Sequence, residues 1–102
     1  MSQQLRDSQR QERRVAKMVG GQLHAGSGNQ WRHKNDVHND DYLFEMKRTD
    51  KTQITIKSKD LEELRTNATV QGRIPVMHCE IGNRRFVVMA EDDFLELSGA
   101  DL

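Results

Sequence analysis

Glu45 and Lys47 stand two residues apart in the run Tyr42-Leu43-Phe44-Glu45-Met46-Lys47-Arg48. The run alternates as a β-strand does, so both charged side chains leave the same face as Leu43, while Tyr42, Phe44 and Met46 take the other. A charged pair on a strand that is otherwise apolar costs free energy unless that face is wet or holds partners. Asp36 lies a short hairpin upstream, with eight residues between it and Glu45. A neighbouring strand that starts at Asp36 would bring a second carboxylate beside Glu45. Two convergent carboxylates make an oxygen-rich site suited to Mg²⁺. Such an ion serves phosphodiester hydrolysis by activating water and neutralising charge on the phosphate. A lysine beside it can orient the attacking water and stabilise the transition state. The plainer reading of the same residues is a solvent-facing salt bridge on a strand and an aspartate that forms a turn.

The elements that must position these residues can be read around them. Residues 3–19 lack helix breakers and are rich in Gln, Arg, Glu and Ala, which predicts a helix ended by Gly20-Gly21. Glu12 and Val19 are seven apart, so Glu12 points to the same side as the apolar residues Val15, Ala16, Met18 and Val19 that begin after it. Gln22-Leu23-His24 suits a short strand, and Ala25-Gly26-Ser27-Gly28-Asn29 a flexible loop without the Gly-Lys-Ser/Thr ending of a phosphate loop. Asn39-Asp40-Asp41 is a turn cluster before the strand at 42–48. Ile54 and Ile56 suggest a short extended piece. Ser58 suits an N-cap, followed by Asp60, Glu62 and Glu63 in the first turns and by Leu61, Leu64 and Ala68 at helical spacing, with Gly72 as the stop. Ile74–Ile81 reads as a strand, Gly82-Asn83 as a turn, Arg85–Met89 as the returning strand and Glu91–Leu97 as a short last helix. The expected fold class is α/β: one domain over 1–102, with a central mixed sheet of about five strands flanked by helices.

Net charge is zero, yet residues 1–34 carry seven basic side chains against Asp7 and Glu12, a local +5 balanced by −5 in the remainder. Phosphate binding needs local rather than global positive potential, although a charge run by itself also suits a solvated helix. The one cysteine, Cys79, excludes an internal disulfide and suits a reducing cytosol as a buried packing residue. With no long apolar stretch and a charged, Gln-rich start, neither signal peptide nor membrane span is expected. His24, His33, His38 and His78 match no zinc spacing. Trp31, among basic residues, suits stacking on a base, anchoring its loop or a dimer contact equally well. Phe44, Phe86 and Phe94 are expected in the core.

The ordered set Gly26-Ser27-Gly28, Asp36-Val37, Phe44-Glu45-Met46-Lys47-Arg48-Thr49, Ile54 through Leu64, Gly72 and Pro75-Val76 resembles the archaeal-type Holliday junction resolvases of the PD-(D/E)XK (restriction-endonuclease-like) nuclease superfamily. The resemblance runs from about Glu12 to Met89. It implies a metal-dependent endonuclease that cuts branched DNA, leaves 5′ phosphates, and serves DNA recombination and repair in a bacterial or phage-infected cytoplasm. Within it, Asp36 and Glu45 would bind Mg²⁺, with Mn²⁺ able to substitute, and the main-chain carbonyl of Met46 would be a further ligand. Lys47 would be the catalytic lysine. Glu12 falls where the family has another acidic active-site residue, and Ser27 where it has a serine near the site. Arg10, Arg13, Arg14, Arg32 and Lys34 would hold DNA phosphates, and the family works as homodimers. The small size suits a phage member. Asn35 stands where the family usually has glycine, and Glu91, Asp92, Asp93, Glu96 and Asp101 make the C-terminal end acidic. Other substrates of the same chemistry are duplex, flap or single-stranded DNA. A non-catalytic DNA-binding module is the reading from another class.

Overall fold

A hairpin built on Asn39 sets the geometry on which the rest depends. The structure, a computed structural model, describes residues 2–23 and 36–99. Strand β2 (Asp36–His38) pairs antiparallel with β3 (Tyr42–Thr49), and the turn between them is closed by a bond from the Asn39 amide to the Tyr42 carbonyl. The Asn39 side-chain oxygen accepts from the amides of Asp41 (2.9 Å) and Tyr42 (2.8 Å), while its main-chain carbonyl accepts from Nε of Arg73 (2.7 Å). An asparagine that bonds its own turn in this way resists register slip, and a slip by one residue would send every side chain of the strand to the wrong face.

Helix α1 (Gln3–Val19) is capped by Ser2, whose hydroxyl accepts from the Leu5 amide, and it stops at Gly20 in the left-handed conformation. Strand β1 (Gln22–Leu23) adds two residues to the outer side of β2. After β3, helix α2 (Ser58–Val70) crosses to β4 (Ile74–Ile81), which runs parallel to β3. Strand β5 (Arg84–Val88) returns antiparallel and α3 (Glu91–Ser98) follows. The sheet is mixed, in the order β1-β2-β3-β4-β5. None of the described helices is long and apolar enough to cross a membrane.

The alternation of β3 divides the core into two layers. Phe44 and Met46 pack with Val37 and Val76 under Val15 of α1. Leu43, Met77 and Cys79 pack on the opposite face under Leu64 and Ala68 of α2. The same alternation places Glu45 and Lys47 on the α2 face.

Three local expectations differ from the structure. Ser58 is not the cap of α2: the cap position falls one residue earlier, on Lys57, without a side-chain cap bond, so Ser58 is the first residue of the helix. Ile54 and Ile56 join no ladder, and Ile56 packs instead against the α2-side cluster. Phe86 and Phe94 are half-exposed, because β5 is the sheet's edge and α3 buries none of its residues.

Candidate active site

The register of the hairpin makes Asp36 and Glu45 direct partners across β2 and β3. Directly opposed residues in an antiparallel pair project to the same face, with Cβ atoms about 5 Å apart. Asp36 is 3% exposed. Burial first, then the charges of Glu45 and Glu12, push its carboxyl up to about 8. The Glu45 carboxyl is raised as well, by burial. Lys47 opposes that shift, and Asp60 and Glu63 on α2 add to it. Glu12 on α1 is half-buried and raised by burial, with Arg13 working the other way. Asp36, almost fully buried and raised by the charges of both Glu45 and Glu12, sits in poorly solvated ground of concentrated negative charge, the environment that favours a cation or a shared proton.

Lys47 lies two residues beyond Glu45 on the same face. Its ammonium is 3.2 Å from a carboxylate oxygen of Asp60, in the first turn of α2. Met46, between Glu45 and Lys47, has its side chain buried in the α1-side core. Only its main-chain carbonyl could serve as a ligand.

A cation site was expected from these residues. Among the described residues there is no group of three or more His, Cys, Asp or Glu placed to hold a metal ion. The arrangement is a pair of opposed carboxylates with a third, Glu12, near enough to raise Asp36. A two-carboxylate donor set fits Mg²⁺, which keeps several waters and takes one or two protein carboxylates. It does not make the closed cage of a structural metal.

The α1 surface supplies the positive charge. Arg10, Arg13 and Arg14 are exposed. Arg10 is tied to Asp7 at 2.8 Å, whereas Arg13 lies beside Glu12 and within electrostatic reach of it. Ser27, Arg32 and Lys34 fall outside the described residues, as do His24, His33 and Trp31.

Two features escaped the reading of the sequence. Gln11, buried at 2% exposure, donates its amide to the Lys47 carbonyl (2.9 Å) and the His78 carbonyl (3.3 Å), with Nδ1 of His78 also 2.9 Å away. A buried glutamine on the apolar side of α1 was the available signal, since glutamine is mostly exposed. The second is an ion-pair network on the α1 face. Arg48 reaches Asp7 (3.6 Å), Asp50 (2.6 Å) and Glu80 (3.5 Å), and Arg85 adds a bond to Glu80 (3.1 Å). It ties α1 to the far ends of β3 and β4. No protein-family model, curated protein or solved structure matches the chain.

Proposed function

We propose that the chain is a metal-dependent DNA endonuclease of the PD-(D/E)XK superfamily that acts on branched DNA, as a Holliday junction resolvase does. The observation that carries this reading is the direct opposition of Asp36 and Glu45, with Lys47 following on the same face. Asp36 and Glu45 lie on adjacent strands of one hairpin, and its register sets them opposite each other. The pairing of the strands in a mixed sheet covered by α1 and α2 is compatible with a restriction-endonuclease-like domain.

Asp36, Glu45 and the Met46 carbonyl would hold Mg²⁺, with Glu12 alongside. When bound, the ion would supply a Lewis acid that lowers the pKa of water and offsets charge on the scissile phosphate. The chain's own groups then divide the remaining work. Asp36 must lose its proton before it can ligate, because a protonated carboxyl is a poor ligand. Lys47 projects from the same face as the carboxylates, where its ammonium can hydrogen-bond the attacking water or a phosphate oxygen. Arg13 and Arg14 on α1 face solvent and would hold DNA phosphates, which positions DNA without reading its sequence.

The test is a gel assay on a labelled four-way junction and its matching linear duplex, with Mg²⁺ and with EDTA. Symmetric, metal-dependent cutting of the junction alone supports the resolvase. Cutting of both substrates supports a nuclease of wider range on duplex, flap or single-stranded DNA. Binding that weakens with salt, without any product, would replace the enzyme with a DNA-binding module.

A further inference from the structure

We infer that Asp60 is a positioning residue for Lys47, holding its ammonium over the carboxylate face of the sheet from the first turn of α2; this rests on the nuclease reading for its functional meaning and on geometry for the contact itself.

The contact joins two elements that are far from each other in local structure. Lys47 is near the end of β3, and Asp60 is the third residue of α2, with a chain segment lacking secondary structure between them. Nζ of Lys47 and Oδ2 of Asp60 are 3.2 Å apart, within hydrogen-bond reach. Lysine carries several freely rotating bonds, so an unpartnered ammonium in this position would sample many directions. Both side chains are partly buried, 27% and 30% exposed, which limits the alternatives without sealing the pair from a substrate.

What Asp60 does not do is equally informative. An acidic residue early in a helix usually answers the free amides there. Helix α2 has no side-chain cap bond at all, and its N-cap is Lys57, a poor capping residue. The Asp60 amide is satisfied by the Lys57 carbonyl at 3.0 Å, while its carboxylate crosses to β3. A helix start without a side-chain cap, whose one acidic first-turn residue is engaged in a tertiary ion pair, departs from local rules, and such departures concentrate at functional sites. The consequence for chemistry follows from position. Lys47 is two residues from Glu45 on one face, so fixing the ammonium fixes it relative to the carboxylate pair. Misplacing a reacting group by about 1 Å can cost on the order of 100-fold in rate.

The experiment uses the full chain as wild type, Asp60→Asn and Asp60→Glu, each checked for an unchanged thermal midpoint. Lys47 is first labelled with a water-soluble acetylating reagent and read by mass spectrometry, without DNA or metal. Acetylation of Lys47 in Asp60→Asn should rise roughly twofold to fivefold, the range that partly exposed ion pairs support. Asp60→Glu should label close to wild type. Cleavage of the junction is then followed at saturating Mg²⁺. The kcat of Asp60→Asn should fall about 10- to 100-fold, as for groups that orient an active-site side chain, with KM and junction affinity unchanged and partial recovery in Asp60→Glu. Equal labelling of Lys47 in wild type and Asp60→Asn overturns the inference, and so does a wild-type kcat in Asp60→Asn. A wild-type chain that cuts no DNA, but whose Lys47 is released by Asp60→Asn, would remove the nuclease reading and leave the placement of Lys47 by Asp60 standing.

Discussion

The side-chain amide of Gln11 donates a 2.9 Å hydrogen bond to the main-chain carbonyl of Lys47, so the helix that carries Glu12 is bonded to the strand that carries Glu45 and Lys47. The same amide reaches the His78 carbonyl on β4, which makes Gln11 a three-element joint. His78 sits across the sheet from Met46 and is 3% exposed. Burial, with Arg14 adding to it, lowers the His78 pKa and favours the neutral ring beside the amide.

Gln11→Ala should therefore destabilise the chain by about 2 kcal/mol, since it removes a buried donor and leaves two carbonyls in need of a partner. Urea unfolding of the variant and wild type measures this. A loss below about 0.5 kcal/mol, the level of ordinary surface substitutions, would show that the joint contributes little.

Asp36→Asn should raise stability in a pH-dependent way in metal-free solution. The folded Asp36 carboxyl titrates at about 8 against an ordinary 3.8. Below the ordinary value both states are protonated and no penalty exists. As pH climbs from there to about 8, the unfolded chain releases its proton while the folded chain keeps it, so wild-type stability falls across that window. The asparagine has no proton to lose. Its thermal midpoint should match wild type near pH 4 and exceed it by several degrees above pH 8. A constant difference across this range would mean that Asp36 is not the group that titrates.

Metal binding should show the opposite trend. Cation and proton compete for Asp36, so Mn²⁺ affinity should rise with pH up to about 8 and level off beyond it. At about 100 times the dissociation constant, Mn²⁺ should stabilise the wild type by about 2.7 kcal/mol. Asp36→Asn and Glu45→Gln should lose this shift and lose cleavage, while keeping junction binding. Thermal shifts in Mn²⁺ at pH 6 and pH 8 decide the point; an equal shift in the variants would place any metal elsewhere.

Arg13→Ala and Arg14→Ala should weaken junction binding to a similar degree on all sequences. Each should lower the slope of log affinity against log salt by about 1 if the residue contacts a phosphate. Arg10 is paired with Asp7, so Arg10→Ala should have the smallest effect of the three. A filter-binding titration at several salt concentrations gives the slopes, and an unchanged slope for both Arg13→Ala and Arg14→Ala would move the DNA off α1.

Gly21→Ala should be strongly destabilising. A Cβ at this position would run into the main-chain carbonyl of His38 on β2, which cannot move without shifting the strand that carries Asp36. Gly72 has a positive φ but open space around it, so Gly72→Ala should carry only the conformational cost of about 1 kcal/mol. A larger loss at Gly72 than at Gly21 would contradict this ordering.

Much of this protein was legible in its sequence because local rules are short-ranged. The helix-forming composition of residues 3–19 without breakers, the alternation of Tyr42 to Lys47 and the punctuation at Gly20, Asn39, Gly72 and Gly82 each act within a few residues. They determine the element order α1 through α3 almost to the residue. The sharing of a face by Glu45 and Lys47 follows from strand geometry alone. Which groups meet across the fold was decided only by the tertiary structure. Phe86 and Phe94 have core-forming side chains, but β5 ended up at the sheet's edge and α3 outside the core, so burial was set by topology rather than by hydrophobicity. Gln11 is an ordinary helix former in sequence, and only the docking of α1 on β3 and β4 turns it into a joint. Asp60 is a helix-dipole residue by position, and only the crossover of α2 onto the Glu45 face brings its carboxylate to Lys47. Ion pairs and buried hydrogen bonds of this kind depend on distances between segments remote in sequence. No periodicity encodes such distances; packing alone sets them.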